Sequence, residues 1–150
     1  MDPSDSVRNH MATKLITFTA DVDIREAMRI ILKNNISGAP VVDKGGMLIG
    51  MLSESDCIKV VMDGPYNNQP GGTGVVGDFM SRDVATISPD KSLLDLAYQF
   101  LNSKFRRFPV IEHGQLVGQI SRSDILRAVI KMRPHVDHVP SSWKGREPRE

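Results

Sequence analysis

The sequence contains the same pattern twice, and this duplication constrains the possible fold more than any other feature. Identical residues recur at a constant offset in chain number, which shortens by one residue after Gly46. A unit of about 55 residues buries too little surface to be stable alone. The two copies are therefore expected to share one core around a pseudo-twofold axis. The identical pairs are Val7 with Val76, Met11 with Met80, Thr17 with Thr86, Asp21 with Asp90, Leu32 with Leu101, Pro40 with Pro109, Val41 with Val110, Gly45 with Gly114, Leu48 with Leu116, Gly50 with Gly118, Ser53 with Ser121, Ser55 with Ser123, Asp56 with Asp124, and Val61 with Val129.

Each copy is predicted to fold as βαββα, which places the protein in the α/β class, of the α+β type. Apolar residues at helical spacing after residues 23 and 92 predict the first helix of each copy. Short β-rich segments predict strands at residues 15–18, 39–42 and 47–52, and again at 84–87, 108–112 and 115–120. We expect the sheets to pack together with the helices outside.

The repeats set the predicted domain boundaries. Repeat 1 is assigned to residues 7–62 and repeat 2 to residues 75–131, with tails at 1–6 and 132–150. Residues 63–74 are rich in Gly and Pro and are predicted to form a flexible linker. Trp143 in the polar C-terminal tail is expected to dock on the body or on a partner. His135 and His138 lack a third clustered ligand, so a metal site there is not expected.

Composition excludes several functional classes. The 19 basic and 18 acidic residues give a formal net charge of +1, which removes the electrostatic basis for general nucleic-acid binding. We find no apolar run long enough to cross a membrane and no signal-peptide pattern at the start, which predicts a cytoplasmic protein. Cys57 is the single cysteine, so an internal disulfide is excluded. No catalytic constellation is recognisable, and we predict that the protein is not an enzyme.

A motif recurs at the end of each copy. A short segment precedes an apolar-Pro-Val strand, then come Leu-x-Gly and Ser-x-Ser-Asp at a helix start. These segments read SGAPVVD, LIG and SESD at residues 37–56, and RRFPVIE, LVG and SRSD at residues 106–124. In order, spacing and duplication they resemble the CBS domain, in the tandem pair called a Bateman module, over about residues 7–131.

The resemblance implies a function. It points to a stand-alone regulatory module that binds AMP, ADP, ATP or S-adenosylmethionine between its repeats, with no required cofactor or metal. It also implies a homodimer that signals to a target protein not identifiable from the sequence. Two alternatives stay open: a structural dimerisation module with empty sites, and a regulatory subunit of a separately encoded enzyme or transporter.

The resemblance also implies which residues bind the ligand. A family site combines the segment before the Pro of one repeat with the closing Asp of the other, and the first strand lies near adenine. This implies one site with Ser53, Asp56, Arg106, Arg107 and Phe108, a second with Ser37, Gly38, Ala39, Ser121, Arg122 and Asp124, and adenine contacts from Thr17 and Thr86.

Each of these residues also has a simpler interpretation. Asp56 and Asp124 either bind ribose hydroxyls or only complete a helix cap with the preceding Ser. Arg106 and Arg107 either bind phosphate or point to solvent; the other repeat has Ser and Gly there, so the fold does not require basic residues. Arg122 either serves a phosphate or is an exposed first-turn residue.

Overall fold

Two similar units, one per repeat, make up the structure. The computed structural model describes residues 5–63 and 74–132. Each unit begins with a short helix, a 3-10 helix in repeat 1 and an α-helix in repeat 2. A longer helix, an antiparallel hairpin and a closing helix follow, and the α+β class is confirmed. In chain order the elements are the 3-10 helix Val7–Asn9, α1 Ile24–Lys33, β1 Gly38–Val42, β2 Leu48–Ser53, α2 Glu54–Asp63, α3 Val76–Phe79, α4 Leu93–Leu101, β3 Arg107–Glu112, β4 Gln115–Ser121 and α5 Arg122–Lys131.

The first predicted strand of each repeat is shorter than expected. Phe18 forms a single parallel bridge to Val41 of β1, and Ile87 forms the equivalent bridge to Val110 of β3. The Phe18 N–H donates to the carbonyl of Pro40 at 3.0 Å. The predicted strands at 15–18 and 84–87 are therefore correctly placed beside β1 and β3, but each contributes only one bridging residue.

The buried apolar residues form two clusters, one in each repeat, and each cluster is completed by the other repeat. Val76 and Met80 lie in the cluster of repeat 1, whereas Val7 lies in that of repeat 2. The exchanged segments are held by backbone bonds: the Val76 N–H donates to Val22 and the Val7 N–H to Lys91, both at 2.9 Å. The expectation of one shared core was wrong, because there are two clusters. Each repeat instead contributes its leading segment, the one that carries Val7 or Val76, to the cluster of the other repeat.

Reciprocal contacts between the repeats support the expected pseudo-twofold axis. Ser81 bridges to Met51 of β2, and Ala12 bridges to Gln119 of β4, so each hairpin gains an edge partner from the other repeat. The two hairpin turns meet each other through a bridge between Met47 and Gln115. Reciprocal pairs of this kind are what a twofold relation requires.

The predicted tails and linker fall mostly outside the described residues. Residues 1–4, 64–73 and 133–150, with Trp143 and the two tail histidines, are not described. Asp5 and Ser6, at the end of the predicted N-terminal tail, are bonded to repeat 2. The Asp5 carbonyl accepts a bond from the Leu93 N–H at 3.1 Å, and Ser6 bridges to Ser92.

Candidate functional site

A cavity of about 370 Å³ lies between the two repeats. The start of β1, the end of β2 and the start of α2 form one wall. The segment after α3 and the segment before β3 form the other. Its volume falls in the range of small-molecule sites. The lining residues are Ser37, Gly38, Met51, Ser53, Asp56, Ser81, Asp83, Val84, Ala85, Lys104, Phe105, Arg106, Arg107 and Pro109.

A buried carboxylate, that of Asp56, lies at the repeat 1 side of the cavity. Its Oδ2 accepts bonds from the backbone N–H and the hydroxyl of Ser53, at 2.9 and 3.0 Å. Its backbone N–H in turn donates to Ser53 Oγ at 3.2 Å, so the cap of α2 is real. Its Oδ1 lies outside the cap and accepts from Lys59 Nζ at 3.2 Å and Ser81 Oγ at 3.4 Å. Capping occupies one oxygen and leaves the other for exchangeable partners.

Three cationic side chains, Lys104, Arg106 and Arg107, line the repeat 2 side. Lys104 and Arg106 are exposed, whereas Arg107 is partly buried. The Arg107 Nε is fully buried and has no hydrogen-bond partner among the described residues. The Arg107 side chain lines the cavity, where its guanidinium can pair with an anion.

The structure groups two of the predicted residues differently. Ser37 and Gly38, which were predicted to form the second site with Asp124, line the same cavity as Asp56. The reason is the hairpin register: Gly38 pairs with Ser53, and the Ser37 carbonyl accepts from the Glu54 N–H at 2.9 Å. The segment before β1 therefore lies beside the closing motif of its own repeat.

Two further predicted site residues, Phe108 and Ala39, have buried side chains and are not part of this cavity's lining. Arg107 and Pro109 line the cavity, so Phe108 between them faces the opposite side of β3 and is 1% exposed in the core. Ala39 is likewise buried next to Gly38. The aromatic residue that does line the cavity is Phe105, whose ring lies 5.8 Å from that of Phe108.

The two threonines predicted to contact adenine are not part of this cavity's lining. Val84 and Ala85 line the cavity from the first segment of repeat 2, whereas Thr86 follows them and is not part of the lining. Thr17, the equivalent residue of repeat 1, is exposed and lies outside this cavity. The wall that would face an adenine is therefore apolar.

The closing motif of repeat 2 lies outside this cavity. The Ser121 hydroxyl and the Asp124 carboxylate form the same reciprocal cap as in repeat 1, with Oδ2 at 2.8 Å from the Ser121 nitrogen. The Asp124 Oδ1 accepts from Arg127 at 2.9 Å. Arg122 is exposed and does not line this cavity. Its guanidinium donates to three backbone carbonyls, one near the end of α4 and two in the segment before β3.

Sequence reasoning missed several lining residues: Met51, Ser81, Asp83, Val84, Ala85, Lys104 and Phe105. Met51 and Ser53 alternate with buried Leu52 along β2, so strand alternation was a usable signal for Met51. Lys104 and Phe105 directly precede the arginines. Ser81 had no signal, because it reaches the site through a pairing with the other repeat.

Glu54, at the start of α2, is not part of this cavity's lining. Glu54 is exposed and lines a separate apolar groove between α1 and α2.

Across residues 5–63 and 74–132, no helix has the length and apolar character needed to span a bilayer.

Comparison with known proteins identifies the class that this fold and cavity define. The CBS domain family model matches residues 7–63 and 76–131, so the chain belongs to the CBS domain family and carries a tandem pair.

Two curated relatives come from Methanocaldococcus jannaschii. The uncharacterised protein MJ1225 is 34% identical over 124 residues, which cover 83% of this chain and 42% of that protein. The uncharacterised protein MJ1426 is 30% identical over 146 residues, which cover 78% of this chain and 87% of that protein. The chain thus spans less than half of the first relative and most of the second.

Two similar solved structures contain adenosine compounds. CBSX2 of Arabidopsis thaliana in complex with AMP superposes with a TM-score of 0.73 at 26% identity, covering 84% of this chain and 96% of that one. The CBS domain pair of protein MJ0100, in complex with 5'-methylthioadenosine and S-adenosyl-L-methionine, superposes with a TM-score of 0.65 at 26% identity, covering 85% and 97%.

Proposed function

We propose that the protein is a regulatory module that binds an adenosine nucleotide in the cavity between its repeats. AMP, ADP and ATP are the favoured ligands, and S-adenosylmethionine is a further candidate. The observation that carries this proposal is a single cavity that has the Asp56 carboxylate at one side and cationic side chains at the other. The Asp56 carboxylate at one side suits a ribose diol, and the Arg107 guanidinium at the other suits a phosphate oxygen.

The apolar wall between these groups fits a flat base. Val84, Ala85 and Met51 line it, and none of these side chains carries a strong hydrogen-bonding group. The AMP complex of CBSX2 and the S-adenosylmethionine complex of MJ0100 support a ligand of this class.

Ligand binding is proposed to act through linkage. A nucleotide that contacts both repeats favours the arrangement in which Asp56 and Arg107 reach it together, and so shifts the population toward that arrangement. A target protein that distinguishes the two arrangements then responds to the nucleotide. This role is regulatory rather than catalytic, and it fits the predicted cytoplasmic location.

Isothermal titration and thermal melting with AMP, ADP, ATP and S-adenosylmethionine test the proposal. A ligand at a hundredfold excess over its Kd stabilises the fold by about 2.7 kcal/mol. Arg107→Gln is expected to weaken AMP binding by at least roughly tenfold, because a charged phosphate contact is lost. Arg29→Gln removes an exposed cation of α1 and serves as the control.

The Asp56→Asn variant separates capping from binding. It weakens the α2 cap, and Asp124→Asn weakens the equivalent cap of α5, so both lower the melting temperature without ligand. Only Asp56→Asn is expected to reduce affinity at the cavity, because Asp124 does not line it. Absence of any melting shift with all four ligands would favour the structural dimerisation module.

Self-association is proposed for the apolar faces outside the cavity. Four apolar positions are exposed in both repeats, which is unusual for a free surface and suits isologous pairing of two copies. They are Leu32, Ile58, Val61 and Met62 in repeat 1, and Leu101, Leu126, Val129 and Ile130 in repeat 2.

Sedimentation velocity of the wild type and of a Leu101→Glu and Ile130→Glu double variant tests this. We expect a dimer that becomes a monomer in the variant. A wild-type monomer would refute self-association, and a stoichiometric complex with one other protein would favour the regulatory-subunit alternative.

A further inference from the structure

The Arg122 side chain turns back from the start of α5 to the segment between α4 and β3. Its Nη2 donates to the carbonyls of Phe100 and Ser103, both at 3.2 Å, and its Nε donates to that of Phe105 at 3.1 Å. The guanidinium carbon also lies 5.9 Å from the centroid of the Phe100 ring. One side chain therefore ties together three points of the segment, one of them at the C-terminal end of α4, where a cation is favoured.

The segment held in this way carries the cations of the cavity. Lys104 and Arg106 lie on it and are exposed, and Arg107 follows as the first residue of β3. Like charges so close along the chain repel one another, which favours a more open segment unless something restrains it. The three carbonyl bonds of Arg122 supply that restraint from the backbone side and leave the cationic side chains free for a ligand.

Repeat 1 lacks this arrangement at the equivalent place. Its residue at the position of Arg122 is Glu54, which has no side-chain donor when ionised. The backbone bond is the same in both repeats: the Glu54 N–H donates to Ser37 at 2.9 Å and the Arg122 N–H to Arg106 at 3.0 Å. The side-chain restraint is thus found in repeat 2, the repeat whose segment before the hairpin carries cations.

We propose that Arg122 is a positioning residue that holds Lys104 and Arg106 at the phosphate side of the cavity. It thereby sets the preference for phosphorylated over unphosphorylated adenosine compounds. This inference rests on the proposed function and deepens it. Arg122 contacts no ligand itself, and its effect comes from preorganising the segment before binding.

Titration with AMP and with adenosine tests the proposal. We compare the wild type with Arg122→Gln, Arg122→Lys and the control Arg29→Gln. Both Arg122 variants are expected to lose AMP affinity by roughly tenfold, because neither side chain can reach three carbonyls at once. Adenosine affinity is expected to change less than about twofold, which also shows that the variants are folded. Amide exchange at residues 102–106 is expected to rise in both variants.

Each other result overturns the inference in a distinguishable way. Full AMP affinity in Arg122→Lys would show that charge alone matters, and equal losses for AMP and adenosine would show a general structural role. Unchanged AMP affinity in both variants would remove the positioning role while leaving the proposed function intact. A wild type that binds neither compound would refute the proposed function, and the inference with it.

Discussion

The exchange of leading segments predicts where the structure weakens when either segment is damaged. Val7 is fully buried in the cluster of repeat 2, and Val76 is fully buried in that of repeat 1. A Val→Ala substitution removes two methyl groups, worth about 0.8 kcal/mol each, and leaves a small cavity. Each variant should lose about 2–3 kcal/mol of the free energy of unfolding, which for a chain of this size lowers Tm by about 4–12 °C.

Hydrogen exchange with mass spectrometry locates the damage. In Val7→Ala the amides of β3, β4 and α5 are expected to exchange faster than in the wild type, although Val7 belongs to repeat 1 in sequence. In Val76→Ala the amides of β1, β2 and α2 are expected to respond instead. Val75→Ala is the matched control, because Val75 is 36% exposed and adjacent to Val76. A Val7→Ala variant that loosened repeat 1, or that matched the control in Tm, would refute the reasoning.

Three further predictions concern single groups. Gly38→Ala should lose about 1–3 kcal/mol in urea unfolding, because its Cβ would lie 2.6 Å from a carbonyl oxygen of β2; unchanged stability would contradict this. Burial raises the pKa of the Cys57 thiol, so alkylation at pH 8 should be slow and accelerate in denaturant; fast labelling of the native protein would contradict it. Hydrogen bonds from Asn9 and His10 lower the pKa of the Asp5 carboxyl, so the ionised group stabilises the fold above the ordinary carboxyl pKa and this contribution is lost on acidification below it. Amide exchange of residues 7–10 should therefore become faster in acid. Unchanged protection of these amides below pH 4 would contradict the prediction.

The order of the longer helices and the hairpins was predictable because local signals agree with each other, whereas the short leading helices were not predicted. The duplicated apolar pattern predicted the helices, the hairpins and their turns. The Ser-x-x-Asp spacing correctly predicted the caps at Ser53 and Ser121. These features depend on residues only a few positions apart, which is the range that a sequence pattern reports.

The parts that could not be predicted depend on distant pairings. Nothing near Val7 indicates that it completes the core of repeat 2. Arg122 bonds to a carbonyl seventeen residues earlier, which its neighbours do not reveal. That Phe105 rather than Phe108 lines the cavity could have been predicted in part, because alternation along β3 places the Phe108 side chain on the opposite face from Arg107.

The crossing of Val7 and Val76 into opposite cores also has a consequence for cleavage. If a protease cut the backbone once between residues 63 and 74, each fragment would still hold a piece that the other needs. The two fragments would stay associated as a non-covalent heterodimer, and neither would be expected to fold when expressed alone. The duplicated halves therefore depend on each other to fold and are not two independently folding domains.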